Sequence, residues 1–167
     1  YLDDSLLLDD FVISMKVCLK GYTIAYEPGA FATELPSPSL PEEEKRKVRI
    51  SAGAYQSVAY LKGGINIFRH PLLAFQFISR RLLRWFFCPA LLIILLLSST
   101  LLAWTGGSWV YTALWLMQVV CWLAAFAGWW LVQSGRQPGL FTIPFYFLFM
   151  NYCLVKGFFA FIRGRQT

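Results

Sequence analysis

Residues 80–104 read "RRLLRWFFCPALLIILLLSSTLLAW", and this stretch decides what kind of protein the chain is. Positions 86–104 carry no charge, and a bilayer is crossed by about 20 apolar helical residues. Arg80, Arg81, Arg84 and Trp85 stand directly in front, a basic cluster with an interfacial aromatic, which places this end on the cytoplasmic side. Working outward, "TGGS" at 105–108 turns the chain, 110–132 forms a second charge-free span, and "SGRQPG" is a polar break. A third apolar segment at 140–162 contains Pro144 and Lys156. Three simple crossings are expected. Arg163 and Arg165 after the third segment pull the C-terminus toward the inside, so a re-entrant path stays open as the alternative.

Upstream of the first span, residues 68–83 mix apolar positions with Arg69, His70, Gln76, Arg80 and Arg81, which suits a helix lying along the interface. The division expected from the sequence is a water-facing piece at 1–62, an interfacial region at 63–85 and a membrane region at 86–167. His70 precedes Pro71 and reads as a helix-start residue, because a metal site needs further ligands nearby. The chain is 57% hydrophobic with a net charge of +6. The cations flank apolar spans instead of forming a stripe among base-stacking aromatics, so a nucleic-acid partner is not expected. The four cysteines, Cys18, Cys88, Cys121 and Cys153, lack the paired spacing of a disulfide framework or a zinc site. All nine acidic residues precede Lys45. The start at Tyr1 suggests a fragment of a longer protein.

The water-facing piece is expected to be α+β. Positions 11–20 are helical, with Val12, Met15 and Leu19 on one stripe and Gly21 as the stop. "YTIAYEPGAFATE" alternates Ile24 and Tyr26, turns at Pro28 and Gly29 and continues extended through Phe31. A second helix begins at the capping-box spelling Ser39, Leu40, Pro41, Glu42.

Two helix ends carry candidate chemistry. Asp9 and Asp10 open the first helix, where a carboxylate accepts amide hydrogen bonds. Two acids are more than a cap needs, so the second can face a cleft as a general base; the cap reading and the base reading both stand. In "RKVRISAGAYQ", Arg46, Arg49, Gly53 and Gln56 share one helical face, while Val48, Ala52, Tyr55 and Ala59 make an apolar one. Guanidinium forks suit phosphate oxygens and Gly53 permits a close approach. A basic juxtamembrane helix on anionic lipid is the equally open alternative.

The order of acidic pair, helix, "KGY", "YEP", "RxxRIxxG", "ISRRLLRW" and the closing "MNYCLVKGFFAFIRGRQT" resembles the C-terminal part of a membrane-embedded family 2 glycosyltransferase. That group includes cellulose, chitin and hyaluronan synthases and bacterial relatives. The resemblance implies a fragment of a GT-A-type catalytic domain on the cytosolic face of a multi-pass inner-membrane protein. Asp10 falls at the family's general base and Asp9 at its acidic neighbour. The Gln-x-x-Arg-Trp signature falls on Arg46, Lys47, Val48, Arg49 and Ile50, where Arg49 is the arginine that holds the donor diphosphate, with Gly53 and Gln56 further along the same face. Arg46 replaces the glutamine and Ile50 the tryptophan; a branched aliphatic offers no flat ring for an acceptor sugar.

The resemblance further implies an inverting transfer from a nucleotide-sugar donor to a glycan or lipid-linked acceptor, of the kind used in polysaccharide synthesis. It also implies a divalent metal, Mg or Mn, held by an Asp-x-Asp motif upstream of these residues. The donor pocket then lies upstream too, and the fragment alone is expected to be inactive. Asp3 and Asp4 are not assigned to the metal, because "DDS" lacks the strand context of that motif. The aromatic-rich spans can anchor the protein or line a sugar path. The alternative from a different class is a non-enzymatic membrane scaffold or transporter subunit with a docking segment.

Overall fold

The structure is a computed structural model that describes residues 7–33, 37, 39–61, 68, 70–106 and 108–164. Among the described residues the regular structure consists of five continuous helices: α1 (Asp9–Leu19), α2 (Leu40–Leu61), α3 (Pro71–Trp104), α4 (Trp109–Gln133) and α5 (Thr142–Ile162). A 3-10 turn, Gly139–Phe141, leads into α5. Two compact units divide the chain, one formed by Tyr1–Leu82 with Cys153–Thr167 and the other by Leu83–Tyr152.

The expected α+β character is overturned. Among the described residues no strand forms, so the water-facing piece is not the mixed α+β, GT-A-type fragment that the sequence suggested. The reason lies in what a strand requires. An alternating segment becomes a strand only when a neighbour supplies the other half of the hydrogen-bond ladder. Residues 22–33 form no regular element and meet no such neighbour among the described residues, leaving Tyr26 87% and Phe31 86% exposed. The turn within the segment does form, with the Ala30 amide donating to the Glu27 carbonyl at 3.1 Å.

In the first unit α1 buries Val12 and Met15 against Leu61 of α2 and Phe77 of α3, and Phe11, Val58, Leu73 and Leu82 close around them. Gly21 ends α1 with φ +90, a backbone setting that favours glycine. The opposite side of α2 receives the last turns of α5. Tyr55 meets Phe158 edge-on at 5.2 Å and Phe161 at 6.5 Å. Gly157 lies so close that a Cβ there would stand 2.4 Å from Ser51 Cβ and 3.0 Å from the Ala52 nitrogen. Lys156 forms an ion pair with Glu44.

In the second unit α3 and α4 are joined by hydrogen bonds that polar groups in an apolar setting need. Ser99 donates to Gln118 at 2.9 Å and the Trp115 indole to Thr100 at 3.1 Å. Gly128 lets α4 approach Phe141 and Phe145. Three helices are long and apolar enough to cross a membrane: Pro71–Trp104, Trp109–Gln133 and Gly139–Ile162. The segment read as interfacial and the first apolar span are continuous in α3. Within it Ile78–Phe87 is a π-helical stretch, wider than α geometry. His70 stands at the N-cap of α3, with Pro71 in the first turn.

Candidate active site

The first turn of α1 presents Asp9 and Asp10, both exposed. Neither caps the helix by bonding an amide two or three residues on. Asp9 Oδ1 accepts from the Asp10 amide at 2.9 Å and Asp10 Oδ1 from the Phe11 amide at 2.7 Å. Each carboxylate is thereby oriented by its neighbour. The second oxygen of Asp10 takes no bond from any described residue.

What seats this turn is α2. The Leu7 amide donates to Gln56 Oε1 at 3.1 Å. Gly53 makes room for the same segment, because a Cβ there would lie 2.8 Å from Leu7 Cβ and 3.0 Å from Leu8 Cδ1. Further on, Lys16 Nζ donates to the Tyr60 hydroxyl at 2.9 Å and stands 4.8 Å from its ring centroid. Contacts that advance from Leu7 with Gly53 to Lys16 with Tyr60 mean that α1 and α2 run in the same sense. Gly53 and Gln56 therefore hold α1 in place.

The two arginines on the α2 face behave differently. Arg46 Nε and Nη2 reach the two oxygens of Glu43 at 3.2 Å each, and Lys47 adds a contact at 3.4 Å. A hydrogen bond from Ser37, helped by the Arg46 guanidinium, holds the Glu43 carboxyl below its ordinary range against the opposing effect of burial. Arg49 is exposed and has no ion pair or hydrogen bond with any described residue. It lies one turn before Gly53, and Ile50 beside it is 41% exposed. Tyr55 belongs to the packed side of α2, where burial pushes its phenol up to about 12.

One neighbour was not foreseen from the sequence. Arg81 of α3 lies over the Phe11 ring, 4.8 Å from its centroid, while Phe11 also stacks on Phe77 at 6.1 Å. Along the sequence Arg81 is one of a cluster of membrane-flanking cations, and no spacing signal separates it from Arg80 or Arg84. Among the described residues no three His, Cys, Asp or Glu side chains gather to hold a metal ion. Asp3 and Asp4 lie outside the described residues.

The chain thus brings an oriented, exposed acid pair onto a basic helix, with Gly53 and Gln56 as the joint and Arg49 open to a ligand. Neither a curated protein nor a solved structure matches it. A family model described as glycosyl transferase family group 2 matches residues 1–154. That match covers most of the 167 residues, and the chain belongs to glycosyl transferase family group 2.

Proposed function

We propose that the protein transfers a sugar from a nucleotide-sugar donor to a glycan or lipid-linked acceptor at the cytoplasmic face of a membrane, with inversion at the anomeric carbon. Membership of a glycosyltransferase family supports the transferase reading over a passive scaffold. The three apolar helices support a membrane setting.

The observation that carries the reading is the seating of the acid pair on α2 through Leu7, Gly53 and Gln56. An inverting displacement needs its base and its leaving group on opposite sides of the carbon that reacts. Asp10 follows Leu7 by three residues in α1, Arg49 precedes Gly53 by four in α2, and the two form no ion pair with each other, which leaves each charge available to substrate instead of to its counterpart.

In this mechanism Asp10 accepts the proton of the acceptor hydroxyl, whose oxygen forms a bond to the anomeric carbon. The bond from that carbon to the diphosphate breaks, and the electron pair leaves with the diphosphate. The Arg49 guanidinium offsets the negative charge that develops there. Arg46, already neutralised by Glu43, contributes by keeping the start of α2 ordered. Ile50 in place of an aromatic ring favours an acceptor bound without sugar stacking.

The test is Asp10→Asn in the full-length protein, a change that removes the charge with almost no change in volume. Sugar transfer should fall by about 10²–10⁴-fold, the usual contribution of a positioned base, while insertion and expression hold. Full transfer by this variant refutes the mechanism.

A further inference from the structure

The end of the third apolar helix is tied to the water-facing helix α2, and that tie bears on how the chain threads the membrane. Gly157 lies against Ser51 and Ala52, Phe158 and Phe161 pack on Tyr55, and Lys156 pairs with Glu44. The same α2 meets the start of the first apolar helix, where Leu61 clusters with Phe77 and Leu82. Ser51 and Leu61 are separated by roughly 15 Å of helix at ~1.5 Å per residue, half of the ~30 Å hydrocarbon thickness. Glu42, Glu43, Glu44, Lys45, Lys47 and Arg49 in its first half keep α2 out of hydrocarbon. The entry turn of α3 and the final turns of α5 therefore share one membrane face. A chain that leaves a face and returns to it crosses an even number of times.

We infer that only α3 and α4 cross, and that α5 returns to the face from which it starts, seated in a single leaflet with lipid as its partner. The apolar windows of α3 and α4 contain no charge, whereas α5 carries Pro144, Asn151 and the paired Lys156. Its apolar window is also the most buried within protein of the three. The opposite side of α5 offers Ile143, Phe147, Phe159 and Ile162 to lipid, all exposed.

The charges give independent support. With two crossings Arg80, Arg81, Arg84, Arg136 and Arg163 all lie on one face, while the uncharged 105–108 connection lies on the other, as the positive-inside rule requires. With three crossings Arg163 falls on the wrong side.

The experiment uses the full chain with Cys18, Cys88, Cys121 and Cys153 replaced by serine. Single cysteines are introduced as Lys45→Cys, Ser108→Cys, Arg136→Cys and Arg163→Cys, and labelled by a membrane-impermeant maleimide in vesicles of each orientation. Arg136→Cys and Arg163→Cys should label in the orientation that labels Lys45→Cys, at least tenfold more than in the other. Labelling of Arg163→Cys together with Ser108→Cys overturns the proposal. A reporter fused after Thr167 gives a second reading: fluorescence of a cytosol-dependent reporter supports two crossings, and activity of an export-dependent phosphatase refutes them. Neither measurement depends on the catalytic mechanism.

Discussion

Arg46 and Arg49 are one turn apart and look equivalent in sequence, but their surroundings give them different work. Arg46 is held in a two-point contact with Glu43 at 3.2 Å, and a partly exposed i,i+3 pair of this kind on one helix is worth a few tenths of a kcal/mol. Arg46→Gln should therefore leave transfer within about twofold of the parent, because Arg46 spends its guanidinium within α2 on Glu43 and not on a ligand. Arg49 has no described partner to lose. Arg49→Lys keeps the charge and removes the planar fork, so the KM for the donor should rise by about tenfold, equal to ~1.4 kcal/mol. Steady-state kinetics with varied donor checks both, and unchanged donor kinetics for Arg49→Lys removes the diphosphate role. Residue identity made the two arginines visible in the sequence. Which one is occupied depends on a glutamate whose own ionisation is favoured by Ser37, and no spacing rule expresses that.

The helices were legible wherever one physical demand acts along the whole element. Contact with lipid requires uninterrupted apolarity, so the three long helices follow from composition. The stripe of Val12 and Met15 in α1 is buried as its period requires. The alternating segment after Gly21 formed no strand because pairing is a property of two segments, and alternation in one says nothing about a second. The joint between α1 and α2 was half legible: Gly53 signals a close approach, but only the fold shows that Leu7 and Leu8 are what approaches. Gly53→Val should therefore push α1 away from α2. Overpacking of this type costs about 1–3 kcal/mol, and transfer should fall because the acid pair moves with α1. A lowered melting midpoint in detergent together with lost transfer is the expected result. An unchanged midpoint with full activity would show that the joint does not hold the acids.

Across the whole molecule, features set by local demands are readable along the chain, and features set by distant partners are not. Glu44 and Lys156 pair across a sequence separation of 112 residues, and Arg81 reaches Phe11 from another helix. Glu44 and Arg81 had sufficient local explanations, as a helix-start anion and a membrane-flanking cation, while Lys156, a charge inside an apolar segment, had to snorkel or face protein without its sequence saying which partner it would meet. The acid pair and the basic face were visible because the chemistry demands particular residue types. The docking of Leu7, two residues before the acids, on Gln56 of the helix that carries the arginines was not, since nothing in either segment names the other.

The bare, ladderless stretch at 22–33 carries a practical corollary. Chymotrypsin should nick the folded protein after Tyr26 or Phe31, both almost fully open to a protease, before it cuts within any helix. Val12 and Met15 remain plugged among Leu61 and Phe77, so the severed halves should co-purify through size exclusion and separate only when denatured. Two pieces held together by that packing alone then make its strength measurable, as the concentration at which they part.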